Sequence, residues 1–245
     1  MMSNPMSADF SEGLSPYFTA VEGGHIGTSD SVWRKKNVSL AGDKLCLTIS
    51  DVDPKPPDCN YSGAEYVSKD NYHYGYYETS MKAIKQSGTV SSFFLYSKQN
   101  EDEIDIEICG KNTTEITFNT FIKKDGRPKS LMRDEKNRGI PIPLGFDASK
   151  GYHRYGFDWQ PNRIIWYVDG VRRAVLTRGG ESKFTVRDGV YYVVTRYALP
   201  SNPGRIIMNA WVGKKGQWGS YNHPIPTPLY AKYCWVRYDF DSKQE

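Results

Sequence analysis

From Trp33 onward, apolar and polar residues alternate in short runs separated by turn-forming residues. Lys44 to Ile49, Tyr74 to Ala83, Val90 to Lys98, Glu101 to Ile108 and Glu115 to Ile122 are runs of this kind. Tyr155 to Gln160, Arg163 to Val168, Arg205 to Val212 and Tyr233 to Phe240 continue the pattern. A period of two places alternate side chains on opposite faces and predicts strands, and no long 3.6-residue period competes with it. Asp169-Gly170 falls between two runs and predicts a two-residue hairpin, while Pro161-Asn162 predicts another turn. Many short strands at this spacing predict an all-β fold, a two-sheet β-sandwich of the jelly-roll kind.

Three stretches break the pattern. Residues 1–30 are rich in Gly and Ser with poor periodicity and read as an N-terminal arm packed on a single domain spanning 31–245. Residues 128–143 are charged and end in Pro141-Ile142-Pro143, which reads as an excursion between strands. Residues 179–203 contain Gly179-Gly180, the apolar run Val190 to Val194, and Pro200 and Pro203. They read as a long loop too apolar to be disordered.

Within the strand-like text, residues 102–107 read Asp-Glu-Ile-Asp-Ile-Glu. On a strand, Glu103, Asp105 and Glu107 share one face and Ile104 and Ile106 the other. With 28 acidic residues among 245, such an i, i+2, i+4 triplet arises by chance about 0.3 times per chain, so spacing alone leaves an ordinary polar strand face in play. The chemistry favoured by the triplet is specific nonetheless. Like charges so close separate one another's proton affinities, and glycosidic bond cleavage needs one ionised and one protonated carboxyl.

Composition narrows the field further. Aromatic residues make up 14 % of the chain, with 18 Tyr and 6 Trp, which suits both a β-rich core and flat platforms for sugar rings. The net charge is +4, and Lys35-Lys36, Lys123-Lys124 and Lys214-Lys215 are isolated pairs rather than a basic stripe, so no nucleic-acid partner is expected. No apolar run reaches 18 residues, so no membrane-spanning helix is expected. The first ten residues lack the apolar segment of a secretory signal, which leaves the localisation open. Cys46, Cys59, Cys109 and Cys234 show no metal-ligand spacing and are expected to be free thiols.

Several further segments are collinear with the acidic one: Gly63-Ala64-Glu65-Tyr66, Tyr74-Gly75-Tyr76-Tyr77-Glu78, Val90-Ser91-Ser92-Phe93-Phe94, and residues 145–153, 157–161, 166–170 and 208–211. With them the chain resembles glycoside hydrolase family 16 from about Trp33 to Phe240, and within it the β-1,3-1,4-glucanases or lichenases. The resemblance implies a curved jelly roll with a concave substrate cleft, a polysaccharide substrate, a monomeric enzyme and no cofactor. It implies Glu103 as nucleophile, Asp105 as its hydrogen-bonded helper and Glu107 as general acid/base. Substrate-binding positions carried over are Glu65, Phe94, Tyr96, Asn119, Asn209, Trp211 and Trp218, with Phe121 standing where a cleft tyrosine is usual and His25 near an N-terminal-loop asparagine.

The departures from that pattern shape the functional expectation. Lichenases carry arginine at the position of Val67 and tryptophan at that of Glu101, two groups that grip glucose units on the non-reducing side of the cut. Their cystine positions fall near Ser31 and Gly63. Their calcium-binding aspartate corresponds to Cys234, so no metal is expected. The 128–143 and 179–203 stretches are insertions relative to them. An opened cleft brings the chain nearer to plant-type endoglucanases that act on several β-1,4-glucans. The expected activity is therefore retaining endo-hydrolysis of β-1,4 bonds in mixed-linkage glucan and also in xyloglucan or similar chains. A transglycosylase and a non-catalytic glucan-binding protein are the alternatives.

Overall fold

The computed structural model describes residues 5–214, 216 and 224–240. Two antiparallel-dominated sheets lie face to face. The first runs through Phe18–Ala20, Tyr61–Ser68, Arg205–Val212, Thr89–Ser97, Asp102–Cys109 and Glu115–Lys124, every pairing antiparallel. Its outer edge is shared by Arg127–Ser130 and Pro141–Pro143, which pair with opposite halves of Glu115–Lys124. Prolines suit that edge because no further strand needs their missing N–H.

In the second sheet, Met6–Asp9 and Leu45–Asp51 flank one side of Leu229–Asp239. From its other side the order is Gly75–Lys82, His153–Gln160, Arg163–Val168, Val171–Arg178, Val190–Thr195 and Lys183–Arg187. The pairing of Val171–Arg178 with Val190–Thr195 is parallel. Ser31–Trp33 lies parallel to Tyr61–Gly63 at the seam between the sheets.

The alternating pattern builds the core as expected. Ile104, Ile106 and Ile108 of the acidic strand are buried, as are Phe93 and Leu95 on the next strand and Ile206, Met208 and Ala210 one strand further. They meet Trp159, Trp166, Tyr77, Phe157 and Tyr233 from the second sheet. Phe118 stacks on Trp166 across the interface with ring centroids 5.7 Å apart. Two polar struts cross the same interface. Trp166 donates Nε1–H to the carbonyl of Asp105 at 3.1 Å, and the Tyr233 hydroxyl donates to the carbonyl of Ser92 at 2.8 Å.

Two expectations are corrected here. The N-terminal stretch is more than an overlying arm, because it contributes Met6–Asp9 to one sheet and Phe18–Ala20 to the other. Met6 and Ala8 point inward while Ser7 and Asp9 point out, a period of two that is too short to stand out in sequence. The 179–203 stretch is not a loop. Lys183–Arg187 and Val190–Thr195 form a hairpin that extends the second sheet. Its turn residues Asp188 and Gly189 both have positive φ, +49° and +74°, the left-handed pair that matches the twist of a two-residue hairpin.

Candidate active site

Register across the first sheet sets its outward side chains in transverse rows. One row reads Glu65, Asn209, Ser92, Glu107 and Thr117. The next reads Val67, Ile207, Phe94, Asp105 and Asn119. The third reads Arg205, Tyr96, Glu103, Phe121 and Ser130. Directly opposed residues on antiparallel neighbours have Cβ atoms about 5 Å apart. The fold therefore gathers eight of the sequence-predicted residues (Glu65, Phe94, Tyr96, Glu103, Asp105, Glu107, Asn119 and Asn209), with Phe121 as a ninth, onto one patch. Phe94 and Tyr96 are half-buried on this open face, not in the core.

The carboxylates differ in surroundings. Glu103 and Glu107 are half-buried and Asp105 is 3 % exposed. Burial raises Glu107 to about 8, with the Glu103 charge adding to the shift. Asp105 rises well above the usual carboxylate range, first from burial, then from the charges of Glu103 and Glu107. Burial also raises Glu103, and a hydrogen bond from Asp105 offsets part of that rise. Asp105 Oδ2 is buried with no hydrogen-bond partner among the described residues. The arrangement thus favours a proton on Asp105 and keeps one on Glu107 beyond neutrality, and of the three only Glu103 has a hydrogen bond that favours its ionised form.

The neighbouring polar groups are pre-set. The Ser92 hydroxyl donates to Asn209 Oδ1, and Asn209 Nδ2 donates to Glu65 at 3.2 Å. Ser130 Oγ donates to Asn119 Oδ1 at 2.7 Å and accepts from Arg133 Nε at 2.8 Å. Ser92 and Ser130 were not singled out in the sequence. On the Glu65 side the face opens into a cavity of about 610 Å³ bordered by Thr19, Val67, Tyr96, Arg205 and Ile207.

Three predicted residues fall elsewhere. Trp211 is on the same face one row beyond Asn209, but it is 2 % exposed and packs with Trp33 and Val90, so its ring is a wall and not an open platform. His25 lies in an exposed loop, where its partners are the carbonyl of Ile26 and the carboxylate of Asp58. Trp218 lies outside the described residues. Among the described residues, His25, Asp58 and Cys59 bring possible metal donors within 4.8 Å of one another, away in sequence from the acidic strand. Cys234 sits where the register of Leu229–Asp239 shifts, and all four cysteines are free thiols.

Residues 27–225 match the model of Glycosyl hydrolases family 16. The chain belongs to this family. As a family 16 member it is a glycoside hydrolase, and its relatives are informative. It is 41 % identical over 219 residues to a beta-glucanase of Paenibacillus macerans, covering 86 % of this chain and 78 % of that protein. It is 40 % identical over 253 residues to a xylanase/beta-glucanase of Ruminococcus flavefaciens, of whose length it spans 28 %. Its family 16 fold superposes on the Bacillus licheniformis beta-glucanase with a TM-score of 0.76 at 33 % identity, all of both chains being covered. A lichenase from a mouse hindgut metagenome gives 0.77 at 33 % identity, covering 97 % of this chain and 99 % of that one.

Proposed function

We propose that the chain is a retaining endo-β-glucanase that cleaves β-1,4 bonds in mixed-linkage β-1,3-1,4-glucan, with xyloglucan or other soluble β-1,4-glucans as further substrates. The observation that carries this reading is the division of labour among three carboxyls on one strand face. Glu103 is the ionisable member and attacks the anomeric carbon. Glu107, protonated up to about pH 8, gives its proton to the departing glycosidic oxygen and then activates water for the second displacement. Asp105 holds its own proton against Glu103 and tunes when that group is ionised. Glu65, Asn209 and Asn119 offer fixed polar groups to sugar hydroxyls, and Phe94 and Tyr96 offer ring surface.

The beta-glucanase relatives support the substrate class. The local structure supports a broader range than theirs. Val67 is apolar and lies directly across from Thr19 and Ile207. Glu101, in a turn with φ +57°, is held by Lys123 at 2.7 Å. Neither supplies the grip that arginine and tryptophan give lichenases, and both leave room for substituents on a glucan backbone.

Proton NMR of the first-formed sugar and a panel of pure polysaccharides test the proposal together. The β-anomer should appear first, because two displacements restore configuration. Mixed-linkage glucan should be the best or near-best substrate, xyloglucan or another soluble β-1,4-glucan should be cleaved appreciably, and pure β-1,3-glucan should be poor. Glu103→Ala should abolish turnover without loss of fold and recover partly with azide. An α-anomer first, or substantial activity of Glu103→Ala on polysaccharide, would overturn the proposal.

A further inference from the structure

The two insertions meet. Residues 129–137, following the edge strand of the first sheet, and residues 180–184 with 193–197, from the added hairpin of the second, enclose a groove of about 610 Å³. That volume lies within the range of small-ligand sites.

The groove continues the cleft. Ser130 and Arg133 line it, and the same two side chains form the hydrogen-bond chain that ends on Asn119, the row partner of Asp105. A ligand lying along the rows from Glu65 across the acidic strand to Asn119 would therefore enter the groove next. Its lining is polar with a surplus of cations: Lys129, Arg133, Lys183 and Arg196 stand around Glu135 and Glu181, and Asp134 is taken up by Arg138. Such a lining disfavours a cation and offers many N–H donors to the oxygens of a hydroxyl-rich chain. Tyr197 supplies ring surface and fixes two cations against it, Lys129 Nζ at 5.4 Å and the Arg196 guanidinium at 5.3 Å from the ring centroid. Immobilised N–H donors cost less entropy when they meet a sugar hydroxyl.

We infer that this groove binds the glucan's sugar units on the leaving-group side of the cut. The side follows because the Val67 end of the face is the half expected to hold the non-reducing portion. The inference rests on the endo-β-glucanase reading. It gives the insertions the role of lengthening the cleft at one end.

The test compares wild type, Tyr197→Ala and Lys129→Ala/Arg196→Ala on two substrates. One is mixed-linkage β-glucan polysaccharide. The other is an aryl β-glycoside of a mixed-linkage trisaccharide, whose leaving group carries no sugar. Loss of one or two hydrogen bonds should raise KM on the polysaccharide about fivefold or more. On the aryl substrate kcat/KM should stay within about twofold of wild type, which also reports an intact fold. Unchanged polysaccharide kinetics in both variants, or equal losses on both substrates, would overturn the inference. A wild-type enzyme inactive on every β-glucan would instead sink the functional reading, a result visible before any variant is made.

Discussion

At the scale of the residue, the site depends on where protons rest. Glu107 titrates at about 8 in the fold against an ordinary value of 4.5. Between those values the folded protein holds a proton that the unfolded chain releases. The stabilising contribution of that proton is whole below about pH 4.5, declines as pH rises, and is gone above about 8. Glu107→Gln removes this titration. The variant should therefore melt above wild type at pH 9, with a smaller or no advantage at pH 5, and calorimetry at the two pH values checks it. The same proton should set the basic limb of kcat/KM near pH 8 in wild type. A limb that stays put in a Glu107→Gln variant assayed on an activated aryl substrate would assign it to another group. The acid triplet was legible in the sequence because its alternation is local. Ser92 was not, because its role depends on Asn209, 117 residues away, and only register brings the two together.

At the scale of the element, hairpin chemistry explains what was read and what was missed. Asp169-Gly170 was recognised because clear alternating runs flank it. Asp125-Gly126 and Asp188-Gly189 carry the same signal, and all six residues have positive φ between +49° and +80°. Their flanking strands are short or charged, as in Arg127–Ser130 and Lys183–Arg187, so neither turn stands out between two clear alternating runs. Here tertiary pairing completes strands that local propensity leaves weak. Gly63 is a second case. It lies at the seam of the sheets, where a Cβ would stand 2.6 Å from the carbonyl oxygen of Ala210 and 3.0 Å from the Trp33 ring. Gly63→Ala must displace backbone and should cost on the order of 1–3 kcal/mol, read as a lower urea midpoint with an unchanged slope. A midpoint equal to wild type would show that the seam yields freely.

At the scale of the whole molecule, the two sheets share more than apolar contact. The Trp166 and Tyr233 struts tie the backbone under Asp105 and Ser92 to the far side of the sandwich, so the strand bearing the three acids takes its position from both sheets. Trp166→Phe keeps an aromatic ring but removes the donor and leaves a small void. It should destabilise by about 2 kcal/mol and lower kcat severalfold while KM changes little, because the residues that hold sugar are untouched. Equal damage to kcat and KM, or none to either, would argue against a positioning role. The all-β sandwich itself was legible from alternation. Which strands neighbour which was not, since the order in both sheets is set by pairings far apart in sequence, such as Arg205–Val212 between Tyr61–Ser68 and Thr89–Ser97.

A ladder can accept new chain only at its rims, and here both insertions dock at the rims of their sheets, Arg127–Ser130 and Pro141–Pro143 on one and the Lys183–Arg187 hairpin on the other. The strand bearing the three acids is flanked on both sides and is out of reach of such growth. The three acids and the rim strands are thus held by separate sets of pairings. In this scaffold, diversification can proceed by lengthening the periphery, with no compromise imposed on the centre.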